Sequence, residues 1–242
     1  MNLPFFYIGS FDTTINSIVL AEDTSRHIVQ VLRMNVGEKL NLTDGKGNLI
    51  TAEITEAHKK HCNVKIIDSR FTPHVSRKIS IAISLLKNTN RFEWFLEKAT
   101  EIGVSEIIPL ICERTEKEKF RYERMQGICI SAMLQSQQVW LPVLHEPVEF
   151  NSVIKSSTSE QKFIAHCDEG TKSKLINQLT LPAGRQVNKS TSSLILIGPE
   201  GDFTGEEINL ALENSFIPVT LGDTRLRTET AGVVSAVLLS MK

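Results

Sequence analysis

The sequence has no pair of cysteines at metal-ligand spacing. Its four cysteines, Cys62, Cys112, Cys129 and Cys167, lie too far apart to suggest a disulfide framework. A metal-stapled or disulfide-stapled scaffold is therefore set aside in favour of ordinary thiols in a reducing compartment. His58, His61 and His74 also fall into no ligand pattern, and no metal is expected. No apolar run approaches the length of a membrane span, and the opening MNLPFFYIGSFD lacks the basic start of a signal peptide. These absences lead to the expectation of a soluble, cytoplasmic protein without a membrane partner. An excess of charge is missing as well: 27 Lys and Arg face 28 Asp and Glu, a net charge of −1. There are no internal repeats and no low-complexity tract.

Two common ligand signatures are absent too. The dinucleotide fingerprint needs G-x-G-x-x-G, but in LILIGPEGDFTGEEI (Leu194–Ile208) the glycines are Gly198, Gly201 and Gly205. The phosphate loop needs Gly-Lys before Ser or Thr, and Gly45-Lys46 is followed by Gly47. Glu200 would itself repel a polyphosphate. A nucleotide-binding α/β enzyme is disfavoured on these grounds.

What is present is a core-forming composition, 41% apolar over 242 residues, enough for one large domain or two modest ones. Charge is unevenly spread: residues 1–78 hold 10 Lys and Arg against 8 Asp and Glu and four of the six histidines, while 79–242 hold 17 against 20. Such a basic front end permits a polyanionic partner without requiring one.

The front reads mainly as strands. EKLNLTDGKGNLITAEITEA alternates, turns at Asp44–Asn48 and alternates again, and HCNVKIID supplies a further strand, as in a meander or small barrel. One helix interrupts them, DTSRHIVQVLRM, capped by Asp23 or Thr24, with Ile28, Val31 and Leu32 on one face. RFTPHVSRK (Arg70–Lys78) reads as a linker.

After it the period changes. ISIAISLL, VSEIIPLI, QKFIAHC, SLILIG and FIPVTLG read as buried strands alternating with helices, the pattern of a parallel sheet. RFEWFLEKATEIG places Phe92, Phe95, Leu96, Ala99 and Ile102 on one stripe and closes at Gly103. Trp94 is also expected in the core. RYERMQGICISAMLQSQQ forms another helix, ended before Pro142, and LPAGRQVNKSTSS (Leu181–Ser193) reads as an exposed loop.

Two strand–glycine–helix turns stand out. In the first, SLILIG runs into Gly198–Gly201 and a helix opening at TGEEI. In the second, a strand reaches Leu221-Gly222 and a helix opens near Arg227, with Thr228 as its cap and Glu229 in its first turn. Two such turns on neighbouring strands would build one crevice, suited to a neutral or cationic ligand. The last helix carries Ala231, Val233, Val234, Ala236, Val237, Leu238 and Leu239 with almost no polar face. It must be buried in the core or against a second copy.

IGPEGDF and LGDTRLRTETA, with KATEIGVSEIIPL and ERTEKEK upstream, resemble the RsmE family of 16S ribosomal RNA uridine-N3 methyltransferases, within the SPOUT superfamily. FFYI and HIVQVLRMNVGEKLNLTDGKG resemble that family's PUA-like RNA-binding domain, so the likeness spans nearly the whole chain. It implies an α/β fold: a small PUA-like β-barrel over residues 1–72, then a parallel sheet with a C-terminal trefoil knot over 75–242. It also implies a homodimer, S-adenosylmethionine as cofactor, and 16S ribosomal RNA or the small ribosomal subunit as partner. The cofactor site implied takes Ile197, Gly198, Pro199, Glu200, Gly201, Leu221, Gly222, Leu226, Arg227, Thr230 and Ala231. Arg227 would stabilise the uracil anion or orient a base, and Glu229 would be that base or the partner of Arg227. His27, Arg33 and Arg91 would meet RNA phosphates. The sequence departs from the family at Asp202, where a glycine is usual, and at Leu134–Gln138, which lacks a Glu and an Arg. The reading from another class is a ribosome-associated RNA-binding protein without methyltransferase activity, against which the intact Arg227–Ala231 motif argues.

Overall fold

The computed structural model describes residues 3–74, 77–116, 119–168, 172–179 and 192–241. The chain divides into two compact units, Met1–His74 with Met133–Leu141, and Val75–Ala132 with Pro142–Lys242.

In the first unit β1 (Phe5–Tyr7), β2 (Ser17–Val19), β3 (Lys39–Thr43), β4 (Asn48–Glu56) and β5 (Asn63–Phe71) form one sheet in the order β1-β3-β4-β5-β2. β1 lies parallel to β3, and the other pairs are antiparallel. Alternation drives this arrangement: Leu40 and Leu42 on β3, and Ile50, Ala52 and Ile54 on β4, all point into the core. The β3–β4 turn follows from its chemistry. Gly45 and Gly47 sit at φ +69° and +96°, while the Asp44 carboxylate accepts from the Lys46 N–H and the Asn48 side-chain amide. Residues Met133–Leu141 return to this turn: Gly47 N–H donates to the Val139 carbonyl at 2.8 Å, and Leu141 N–H to that of Gly45 at 2.9 Å.

The helix expected over DTSRHIVQVLRM is altered in three respects. α1 (Glu22–Arg26) is preceded by Ala21 at its cap position, without a side-chain cap, so Asp23 and Thr24 lie inside the first turn. It widens at once into a π-helical turn over His27–Val31, with Leu32 N–H reaching back to the His27 carbonyl. The extra residue per turn rotates the apolar side chains apart. Ile28 is fully buried, whereas Val31 and Leu32 are 65% and 43% exposed.

The second unit is built on β6 (Lys78–Ser84), β7 (Glu106–Ile111), β8 (Val143–Leu144), β9 (Val148–Glu149), β10 (Gln161–Ala165), β11 (Ser173–Lys174), β12 (Ser192–Ile197) and β13 (Ile217–Thr220). The sheet order is β11-β13-β10-β12-β6-β7-β8, with β9 also on β7, and every pair is parallel. The strands that lead into the two glycine turns, β12 and β13, are thus not neighbours as expected from the sequence; β10 lies between them. β12 begins at Ser192, inside the stretch expected to be loop; the rest of that stretch, from Leu181, falls outside the described residues. The linker expected over Arg70–Lys78 is shorter, because Arg70 and Phe71 belong to β5 and Lys78 to β6.

The helices are α2 (Thr89–Ile102), α3 (Tyr122–Gln135), α4 (Phe150–Ser156), α5 (Leu175–Leu179), α6 (Gly205–Glu213) and α7 (Thr228–Ser240). α2 starts at the Asn88 cap, ends at Gly103 in the left-handed region, and buries Phe92, Phe95, Leu96 and Ala99. Trp94 is 43% exposed rather than core. At 100° per residue it lies about 200° round the helix from Phe92, off the buried stripe. α7 packs on α2 and β6. Its Gly232 comes so close to Phe95 that a Cβ would lie 2.6 Å from the ring. Among the described residues no helix is long and apolar enough to cross a membrane.

Candidate functional site

The carboxyl ends of β12, β10 and β13 converge on one cavity of about 410 Å³. At a strand spacing of about 4.8 Å, the interposed β10 sets the two glycine turns roughly 10 Å apart, which opens a cleft instead of a closed seam.

The first turn is held from several sides. α6 begins with a complete capping box between Thr204 and Glu207, and the second oxygen of Glu207 accepts the Glu113 N–H at 2.9 Å. Arg114 donates to the Gly201 carbonyl at 2.7 Å. Phe203 is buried under Gly198, where a Cβ would stand 3.1 Å from its ring. Asp202 adopts φ +65°, and its carboxylate accepts from Phe203 N–H and, at 2.7 Å, from Cys167 N–H at the end of β10.

At the second turn the cap position of α7 is Arg227, not Thr228. Thr228 is the first helical residue, and its hydroxyl donates to the Gly198 carbonyl at 3.0 Å instead of folding back onto the helix. The hydroxyl reaches the other glycine turn because the extended Arg227 backbone aims it across the cleft.

Ile197, Gly198, Pro199, Glu200, Leu221, Leu226, Arg227 and Ala231 line the cavity, and so does Arg91, which the sequence had suggested for RNA phosphates. Gly201, Gly222, Thr230 and Glu229 are not among its lining residues. Gly201 faces Arg114, with 3.4 Å between a Cβ there and the Arg114 Cδ. Glu229 is buried, and Arg91 stands 3.7 Å from it; among the described residues Arg227 has no carboxylate within ion-pair distance. The expected pairing of Glu229 with Arg227 is therefore replaced by one with Arg91 on α2. His27 and Arg33 belong to the first unit and are exposed: His27 stands edge-on to Phe6, and Arg33 holds φ +56°.

Sequence reasoning missed His166, Cys167, Asp202, Thr220, Thr224, Arg225 and Thr228 in the cavity wall. His166 and Cys167 follow β10, and only the strand order brings that strand between the two turns. Burial, with the nearby Lys172 ammonium, holds the His166 imidazole below its ordinary pKa, outweighing the pull of Asp202 and Asp168. Among the described residues its Nδ1 is buried without a hydrogen-bond partner.

Among the described residues the wall thus offers carboxylates on one glycine loop, arginines on the other side, and no lysine. The two carboxylates, Glu200 and Asp202, lie on the first glycine loop, and the three arginines, Arg91, Arg225 and Arg227, can meet the anionic groups of a ligand or substrate. Among the described residues no three His, Cys, Asp or Glu side chains gather as a metal site.

Comparison with known proteins identifies the family. The model of the RNA methyltransferase domain matches residues 73–240, and that of the RNA methyltransferase PUA domain matches residues 20–67. A probable rRNA-methyltransferase from Porphyromonas gingivalis is 38% identical, with a TM-score of 0.86 over 97% of this chain and 95% of that one. A ribosomal RNA small subunit methyltransferase E from Neisseria gonorrhoeae, solved bound to S-adenosyl methionine, is 29% identical, with a TM-score of 0.80 over 97% and 95%. The ribosomal RNA small subunit methyltransferase E of Rickettsia conorii is 26% identical over 95% of this chain and 91% of its own length.

Proposed function

The chain belongs to the RNA methyltransferase family, and on that premise we propose that it methylates N3 of a uridine in the 16S ribosomal RNA of the small subunit, with S-adenosylmethionine as donor. The observation that carries the reading is the cavity of about 410 Å³ between the glycine turns, with carboxylates on one loop and Arg227 at the start of α7. Bound there, S-adenosylmethionine supplies an activated methyl group on a sulfonium. Gly198, Pro199, Leu221 and Leu226 are the groups to hold its adenosine and methionine parts, and Ala231 leaves room at the start of α7.

The remaining chemistry falls to this chain's side chains. Uridine N3 bears an imide proton at neutral pH and must lose it before it can attack, so the developing anion needs a cation beside it. Arg227 is that group: it lines the cavity at the amino end of α7, where the helix dipole adds to its charge, and no described carboxylate neutralises it. Glu229 positions Arg91 at the cavity wall.

The coarse organisation follows the same reading. Residues 1–72 serve as the RNA-binding domain, with His27 and Arg33 at phosphates, and 75–242 as the knotted catalytic domain. The second copy of a homodimer covers the outer face of α7, where Val237 and Met241 are 38% and 72% exposed. The protein acts in the cytoplasm, where its RNA is. The test is incubation of 16S ribosomal RNA and small subunits with the protein and donor, followed by mass spectrometry of the nucleosides. 3-Methyluridine is the expected product; another methylated base, or none, would overturn the assignment.

A further inference from the structure

We propose that Asp202 makes the cavity favour the cationic methyl donor over its neutral, demethylated product, a discrimination that rests on the donor-binding reading above. The backbone at Asp202 is at φ +65°, a region that glycine occupies freely and side-chain-bearing residues enter at a cost. The side chain put there is fixed. One carboxylate oxygen accepts Cys167 N–H at 2.7 Å and the other Phe203 N–H at 2.9 Å, so the charge is pinned in the wall between the ends of β10 and β12.

That charge lines the cavity, and the three arginines of the wall, Arg91, Arg225 and Arg227, make no ion pair with it among the described residues. Among the described residues no Lys, Arg or His stands within ion-pair distance of Asp202. Glu200, the other carboxylate on this loop, shares its field with Lys87, whose ammonium it helps to hold charged. His166 adjoins Cys167 and feels the Asp202 charge, but burial and Lys172 favour its neutral form. Arg91 is turned to Glu229, and Arg225 and Arg227 come from the loop ahead of α7.

Methyl transfer changes the ligand's charge by one. The carbon–sulfur bond breaks with its electron pair left on sulfur, and the methyl carbon bonds to the nucleophilic nitrogen, so a sulfonium becomes a thioether. A pinned carboxylate in a cavity of about 410 Å³ is within about 10 Å of any ligand atom there, and at that range, for an effective dielectric between about 20 and 80, a unit charge alters relative affinity by roughly twofold to fifteenfold, with about fivefold in the middle of that span. The donor is held and the product released by the same group.

Titration calorimetry of the whole protein with S-adenosylmethionine and with S-adenosylhomocysteine tests this. In Asp202→Asn the charge is lost, while an acceptor oxygen and tolerance of the left-handed backbone are kept. The ratio of the two affinities is expected to shift about fivefold toward the product, whatever stability is lost with the second accepted bond. Asp202→Gly, which occupies φ +65° without strain, should show the same shift and decides the matter if the Asn variant does not fold. If both ligands weaken equally in these variants, or neither changes, Asp202 is a brace between strands and the proposal fails. If the unsubstituted protein binds neither ligand, the donor-binding reading itself falls, and this inference with it.

Discussion

Thr228 ties the two halves of the cavity together: its hydroxyl, the first on α7, donates to the Gly198 carbonyl that ends β12, at 3.0 Å and away from solvent. The pair lies 30 residues apart in sequence and joins the two glycine turns by a single buried bond. Thr228→Val keeps the shape and leaves the carbonyl unsatisfied, so a loss of about 1–2 kcal/mol is expected. Urea melts measure that loss, and calorimetry should show donor binding weakened beside it. Donor affinity equal to that of the unsubstituted protein would mean that the bond supports the fold alone.

Gly232 makes the opposite case to the usual helical glycine. In an exposed helix Gly→Ala is worth close to 1 kcal/mol of added stability. Here the new Cβ would stand 2.6 Å from the Phe95 ring and 2.9 Å from Ile83 Cδ1, so Gly232→Ala should destabilise by about 1–3 kcal/mol. Pairing it with Phe95→Leu should recover part of the loss, read as a shift in the urea midpoint at constant slope.

His166 should give the protein a neutral-to-acid stability slope. Its imidazole titrates below 6.5 in the fold because burial, aided by Lys172, disfavours the charged form. Above about pH 6.5 both folded and unfolded chains hold it neutral, and it contributes nothing. As pH falls through 6.5 the unfolded chain takes up a proton that the folded chain refuses, and stability declines. His166→Gln should flatten the dependence of Tm on pH between about pH 7.5 and 5.5. An identical slope in the variant would assign it to other groups.

Arg227 separates chemistry from binding. Arg227→Ala should lower the single-turnover methylation rate by about a hundredfold or more while donor affinity changes modestly. Higher pH should restore part of the rate, because more uracil is already deprotonated on arrival. Arg227→Lys should rescue poorly, since a point charge does not reproduce the planar fork. Equal losses in donor affinity and rate would move Arg227 from catalysis to binding.

Arg91 and Glu229 should behave as one unit. If the carboxylate positions Arg91 at 3.7 Å, Glu229→Gln and Arg91→Ala each slow methylation, and the double variant is little slower than either. A role for Glu229 as the base predicts instead a strong pH rescue of Glu229→Gln that Arg91→Ala does not share.

Local rules made much of the fold legible. The Asp44–Asn48 turn, the α2 stripe ending at Gly103 and the Thr204–Glu207 capping box all depend on neighbours within a few residues. The first glycine turn and Arg227 were legible for the same reason. What local rules do not carry is strand order. Nothing in QKFIAHC says that β10 slots between β12 and β13, so His166 and Cys167 could not be read as cavity residues. The partner of Thr228 is likewise a carbonyl in a distant turn, and the amino-end helix lost its apolar face to a π turn that no side-chain pattern announces.

The return of Met133–Leu141 to the β3–β4 turn sets a timetable for synthesis. Gly45 and Gly47 find their backbone partners, Leu141 and Val139, some ninety residues later in the chain. Trp140, whose indole donates to the Thr72 carbonyl, arrives equally late. When His74 leaves the ribosome, the first unit is still missing this edge, and at about 5–20 residues per second the missing piece follows roughly 3–13 s later. In that interval the Gly45 and Thr72 carbonyls and the Gly47 N–H face solvent or a chaperone, and α3 must be made before the amino-terminal unit can close.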